Sequence, residues 1–413
     1  MSKGEINQNH YDKLMEIYTG YNDVFNALYR LKTSDEEKLN AIYKKIKQNL
    51  IDSYQIPPDA IITEISQLSI YNNRYMKSYL VIAKQIVDEY HLNHVNGIDR
   101  VFNYLFYKEY ITVLNEYMKY HFNYYEDAHY SSDIHNQKTL HRSIMDDDKI
   151  ALINFTEKEG FDKNQKFLCD LYPFLGGYGI SLLELCCYHG SVDCFKFLRT
   201  KFQSEITPTC LRYSFLGGNP EIMNECLKVQ KPDALCMKYA IISHNIDFVT
   251  FLMNEHNIKI DLKLCSKYNN LQSFLIYLDQ TNDINTCFVY SLNFHLSSLL
   301  EYFISNGADI NAKDINEFTP LHCAARNNSK ETAEILISNG ADINAKTKDE
   351  FTPLHCAARN NSKETAEIII SNGADINAKT KDEFTPLHSA AMNNSKETTE
   401  ILILNGADIN AKV

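Results

Sequence analysis

Cysteine, histidine, clustered aspartates and glycine-rich loops are where this chain could hold a metal, a phosphate or a nucleophile. Cys186 and Cys187 are adjacent, so they cannot clasp a metal as a CxxC pair does. His189 and Cys194 stand five apart, which is neither a zinc motif nor a nucleophile–base dyad without further ligands. "DDDK", Asp146 to Lys149, offers carboxylates to a cation, but acidic residues at a helix start also complement its dipole, the less demanding reading. "GGYG", Gly176 to Gly179, lacks the Lys-Ser/Thr of a phosphate loop and the strand–helix context of a dinucleotide site, and reads as a flexible loop. Asn327-Asn328-Ser329, Asn360-Asn361-Ser362 and Asn393-Asn394-Ser395 match the glycosylation sequon; without a secretory signal they read as helix caps. The expectation is therefore a non-enzymatic chain with no catalytic residue, no metal ligand and no cofactor.

Composition narrows the remaining classes. The chain has 413 residues, 44% hydrophobic and 23% charged, which is globular. Its net charge of −12, without a basic stripe, argues against nucleic acid as a partner. The start, "MSKGEINQNHYDK", has no apolar run, and no stretch approaches the ~20 apolar residues of a membrane span. The expected location is intracellular and cytoplasmic, with no membrane insertion. All 11 cysteines lie at or after Cys169, and they are expected as reduced thiols that serve as compact hydrophobes.

The elements that position these residues follow from a repeat. Residues 308–340, 341–373 and 374–406 are three gapless blocks of 33 residues; the first two differ at four positions, and the third differs from the second at five. In each, Thr-Pro starts a helix, Thr as cap and Pro in the first turn. Leu321, Ala324 and Ala325 share one face of it, the small Ala permitting close approach. Asn327-Asn328 breaks that helix because Asn tolerates the left-handed conformation. Ser329 then caps a second helix carrying Ala333, Leu336 and Ile337, and Gly340 ends it. One such unit cannot bury both helix faces, so it must stack on its neighbours as a solenoid.

The period, the "TPLHCAA" signature and the "GADIN" ending resemble ankyrin repeats. Two departures stand out: Glu317, Glu350 and Glu383 occupy a position the family usually gives to Gly, and so do Asn328, Asn361 and Asn394. The resemblance implies that His322, His355 and His388 form hydrogen bonds tying neighbouring loops together. Upstream, "LLELCCYHGSVDCFKFL" (Leu182 to Leu198) aligns with a helix–turn–helix of the same kind, and similar units follow at a shorter spacing, with turns near Gly218, Asn245, Asn270 and His295. "LLELCCYHGSVDCFKFLRTKF", "SFLGGNPEIM" and "AIISHNIDFVTFLMNEHNI" resemble a domain of unknown function that precedes ankyrin arrays in a large protozoan family.

The fold class expected is all-α. Residues 1–121 form a helical N-terminal domain, 122–138 a linker, 139–307 degenerate ankyrin-like helix pairs, and 308–413 three consensus repeats plus the start of a fourth. Ser34-Asp35-Glu36-Glu37 reads as a capping box, and longer helical patterns run from Arg74 to Tyr90 and from Ile98 to Tyr120. Most of the 27 Tyr lie before residue 130, on faces that suit either a bundle core with hydroxyls at its rim or a partner surface.

The function expected is a scaffold or adaptor that docks a protein partner on its ankyrin solenoid. By resemblance, the contact positions are those before Thr-Pro and those ending the first helix. They are Ile315, Asn316, Phe318 and Arg326; Lys348, Asp349, Phe351 and Arg359; and Lys381, Asp382, Phe384 and Met392. Each Phe suits an exposed anchor or packing on its own hairpin equally well. Two alternatives stay open: activity in the N-terminal helices with the array as a targeting arm, and a spacer without a specific ligand. The sequence stops at "ADINAKV", and Leu404 replaces Ser338 and Ser371. An uncapped final repeat is therefore expected, from truncation or because this end contacts another molecule, self-association included.

Overall fold

The computed structural model of the chain describes residues 10–173, 177 and 179–412. Outside them lie the start of the chain, with most of its "MSKGEINQNHYDK" stretch, Gly176 and Tyr178 of the Gly-rich loop, and Val413. The fold is all-α; among the described residues the β-structure is one antiparallel ladder, Lys166–Phe167 with Ile180–Ser181. The chain divides into two compact units, residues 12–273 and residues 274–413 together with 1–11.

In the first unit, helices Thr19–Tyr29, Glu36–Lys45, Pro58–Ser69, Met76–Tyr90 and Arg100–Tyr110 precede a run of short helix pairs. Asp35, rather than Ser34, caps the second of these by accepting from Lys38 N. The pattern read from Ile98 to Tyr120 breaks at Ile111, which is left-handed (φ 57°), and resumes as the 3-10 turn Glu116–His121. Residues 122–138, expected as a linker, instead contain the helix Phe122–Asp127, with Phe122 and Tyr125 buried and Tyr104 packed against both rings. Ser132 and Ile134 further on are buried too, and these four positions share no single helical or strand period.

The grouping of elements also differs from the expected division at 121 and 139, because tyrosines bond the N-terminal helices to the helix pairs inside one unit. Tyr21 Oη donates to Asn269 Oδ1 at 2.7 Å, Tyr188 Oη to the Ile70 carbonyl at 2.6 Å, and Tyr71 and Tyr268 share a hydroxyl contact of 3.0 Å. Tyr29 stacks on His244 with centroids 4.0 Å apart. Tyr18, Tyr21, Tyr79 and Tyr104 are fully buried. These rings are core, and each buried hydroxyl needs the partner it finds.

The helix pairs are Leu140–Met145 with Lys149–Thr156, Leu182–His189 with Val192–Phe202, Pro208–Gly217 with Pro220–Leu227, and Ala234–Ile242 with Ile246–His256. Caps recur at their starts: Thr139, Asp148, Ser181, Thr207, Asn219, Asp233 and Asn245 each accept a backbone N–H from the first turn. The turn inside each pair carries one left-handed residue: Asp147, Gly190, Gly218 and His244. Consecutive turns approach closely, since a Cβ on Gly217 would meet the Cys187 carbonyl oxygen at 2.2 Å and one on Gly190 would meet the Gly217 carbonyl oxygen at 2.6 Å. No side chain fits at either position. Ten of the 11 cysteines are buried as free thiols, Cys169 being half-buried.

In the second unit, Ile284–Ser291 pairs with Ser297–Ser305, Pro320–Arg326 with Lys330–Ser338, Pro353–Arg359 with Lys363–Ser371, and Pro386–Met392 with Lys396–Leu404. Leu321, Leu354, Leu336 and Ile369 are fully buried between neighbouring repeats, each worth about 1.5–3 kcal/mol of removal from water. Ala324, Ala325, Ala357 and Ala358 are as deeply buried, so the first helices stack with little between them. Among the described residues no helix is long and apolar enough to cross a membrane.

Candidate functional site

The expected contact positions sit on two features of each repeat, the hairpin loop and the end of the first helix. The hairpin closes at its stem: Asp314 N donates to the Phe318 carbonyl, Thr347 N to that of Phe351 and Thr380 N to that of Phe384, each at 3.0 Å. The first stem uses Asp314 Oδ1 to accept from Phe318 N, and the second uses Thr347 Oγ1 to accept from Phe351 N. Asp314 and Thr347 therefore do the same structural work although they differ between the first two repeats. Glu317, Glu350 and Glu383 adopt φ of 64°, 62° and 62°, so the backbone keeps the left-handed turn although the side chain is not Gly. Lysines four residues earlier pair with them, Lys346 Nζ with Glu350 Oε2 at 2.7 Å.

Neighbouring hairpins bond to each other, Lys348 N donating to the Asn316 carbonyl and Lys381 N to the Asp349 carbonyl, both at 3.2 Å. Behind them His322 Nδ1 accepts from Thr319 N at 3.1 Å, and its Nε2–H donates to the Phe351 carbonyl at 3.0 Å. His355 repeats the arrangement with Thr352 and Phe384. Burial holds the His322 imidazole down to about 4, with the Phe351 carbonyl pulling weakly the other way, and lowers His355 for the same reason. Both rings stay neutral near pH 7, as this donor–acceptor pattern requires.

Two further ties were not read from the sequence. Asn328 Oδ1 accepts from Thr365 N at 3.2 Å, capping the second helix of the next repeat, and its amide donates to Glu364. Asn361 does the same for Thr398 and Glu397. Asn311 Oδ1 accepts from Asp342 N, Asn344 Oδ1 from Asp375 N and Asn377 Oδ1 from Asp408 N, all at 2.8 Å. The signal is Asn at a 33-residue interval; for Asn328 and Asn361 turn preference alone accounted for it.

On this fixed backbone the candidate residues separate into two kinds. Ile315 (77% exposed) and Met392 (72% exposed) are apolar and open to solvent, and Asn316, Lys348, Asp349, Lys381, Asp382, Arg326 and Arg359 are exposed as well. Arg326 Nη2 donates to Asn293 Oδ1 at 2.8 Å. Phe318, Phe351 and Phe384 are half-buried, each ring edge-on to the histidine of its own repeat, with centroids 5.5, 5.5 and 5.8 Å apart. Leu404 and Ile403 on the last helix are exposed.

The first unit holds a different polar cluster. Tyr29 Oη donates to Glu64, whose carboxyl is pushed up to about 7 by burial, while its bonds to Tyr29 and Asn269 act in the opposite sense. His244, stacked on Tyr29, uses both ring nitrogens, Nδ1 with Asn26 Oδ1 at 2.9 Å and Nε2 with the Tyr268 carbonyl at 2.8 Å. The bonds among these groups join helices to one another.

Comparison with known families gives two matches. Residues 202–277 match a domain of unknown function, DUF3447, and residues 262–347, 288–380 and 345–413 match ankyrin repeats. The first lies within the run of short helix pairs and extends to residue 277, overlapping the start of the second. No curated protein matches the chain. Ankyrin repeats are a protein–protein interaction module.

Proposed function

We propose that this chain, an ankyrin-repeat protein whose repeats follow a domain of unknown function, is a non-catalytic scaffold. Its protein partner lies along the hairpin loops and the ends of the first helices. The observation that carries this reading is the cross-tied row of hairpins, Lys348 bonded to Asn316 and Lys381 to Asp349 through the backbone. The backbone that carries these side chains is already ordered before binding, which lowers the cost of association. Ile315 and Met392 supply apolar contact, Lys348, Asp349, Lys381, Asp382, Arg326 and Arg359 supply charge and register, and Phe318, Phe351 and Phe384 add a ring edge each.

Site-directed photo-crosslinking in the native cell tests the surface. A crosslinker at Ile315, Lys348 or Lys381 should capture one common protein, and a crosslinker at Lys330 or Lys363 on the second helices should not. Equal capture from both sets, or none from the hairpins, rules this surface out.

A further inference from the structure

Inside the first unit, a cavity of about 430 Å³ opens between the N-terminal helices and the helix pairs. Three cations line it, Arg30, Lys32 and Arg74, and no Asp or Glu does. Among the described residues none of the three has a carboxylate within ion-pairing distance, although the chain as a whole carries a net charge of −12. Arg74 donates through Nη2 to the carbonyls of Met145 and His189, and its Nε is buried without a hydrogen-bond partner. Arg30 and Lys32 are exposed at the mouth. Tyr71 and Phe248 contribute aromatic wall.

Uncompensated positive charge gathered in one hollow costs stability in the absence of a counter-charge, and a buried donor without an acceptor adds to that cost. The volume falls in the range of small-ligand pockets. We propose that this cavity binds a small ligand through a phosphate group, with Arg74 at the inner wall and Arg30 and Lys32 closing over the charge from outside. A phosphomonoester suits three cations better than a single carboxylate does, because it carries close to two negative charges on three acceptor oxygens. The source of the phosphate is a soluble metabolite or a lipid headgroup.

Titration calorimetry of the full chain with inorganic phosphate, AMP and phosphoserine, with citrate and acetate as carboxylate controls, tests the soluble source. Co-sedimentation with phosphatidylcholine vesicles, with and without phosphatidylinositol 4-phosphate, tests the lipid source. At least one phosphate probe should bind below millimolar concentration, and the Arg30→Gln/Lys32→Gln double variant should weaken it at least about tenfold. That variant leaves the packed Arg74 in place, so its fold is not at stake; Arg74→Lys, which keeps the charge but loses the Nε donor, should weaken binding too. Phosphate binding in one arm alone identifies the source. No phosphate binding in either arm, equal binding of the carboxylates, or binding unchanged in the double variant overturns the proposal.

Discussion

His322 Nε2 and the Phe351 carbonyl oxygen lie 3.0 Å apart and join one repeat to the next. His322→Ala leaves the buried Thr319 N–H without its ring acceptor and takes from the half-buried Phe351 carbonyl one of its two donors, Thr347 N remaining. A loss of about 1–3 kcal/mol is expected, read from urea unfolding of the chain at pH 7. A midpoint unchanged from wild type removes the inter-repeat role from this ring.

Acid should loosen the protein before carboxylates protonate. His322 and His244 are held down to about 4 in the folded state and His135 to about 3, in each case mainly by burial, against about 6.5 when unfolded. Between these values the unfolded chain binds more protons, so stability is present above about pH 6.5 and is lost as pH falls through 4. Thermal melts from pH 7.5 down to 4.5 should show a falling Tm, and the fall should be shallower in His322→Ala, whose ring is gone. A Tm that is flat over this range contradicts the assignment.

Glu64 works in the opposite direction. Its carboxyl, pushed up to about 7, keeps a proton in the folded state that the unfolded chain releases near 4.5, so its contribution is lost as pH rises from about 4.5 through 7. Glu64→Gln preserves an acceptor for Tyr29 and removes the ionisation. It should raise Tm at pH 8 relative to wild type and leave it nearly unchanged at pH 4.5. Equal effects at both pH values exclude a titrating Glu64.

Glu350 holds a left-handed backbone at φ 62°. Glu350→Gly relieves that conformation, worth about 1 kcal/mol or more, and sacrifices only the exposed pair with Lys346, worth a few tenths. The greater freedom of Gly in the unfolded chain takes back part of the gain. A net stabilisation of about 0.5 kcal/mol is expected from chemical denaturation, against a loss for Gly373→Ala, where φ is 95°. A destabilised Glu350→Gly would show that the side chain does more than its ion pair.

Asn361 and Asn394 have nearly the same backbone, φ 54° and 55°, but only Asn361 caps a following helix through Thr398 N. Asn361→Gly should lose about 0.5–1.5 kcal/mol as a missing hydrogen bond, partly offset by easier turn geometry, whereas Asn394→Gly should be neutral or slightly stabilising. Equal effects would mean that turn preference alone selects Asn here.

The repeats were legible in the sequence because each of their requirements is local. Thr-Pro caps and starts a helix, Gly340 ends one, and Leu321 with Ala324 and Ala325 marks a face, all within one block. What escaped notice depends on the neighbouring block. Asn328 reads as a turn residue until Thr365, 37 positions later, is brought to its side chain. The tyrosines of the N-terminal helices posed the same problem, since nothing near Tyr21 in the chain announces Asn269. The packing of residues 122–138 was hidden because its buried positions, Phe122, Tyr125, Ser132 and Ile134, follow no single period. The three cations of the cavity lie at 30, 32 and 74, too scattered to form a motif.

The ties between consensus repeats share one property. Asn311 to Asp342, His322 to Phe351 and Asn328 to Thr365 run from one block to the next, and the second block offers the same bonds to the third. Each block therefore carries a socket on one side and the matching plug on the other. A gene that copies or drops a whole block leaves every internal junction complete, with no compensating substitution. The length of the array can then change in steps of 33 residues while each joint stays the same.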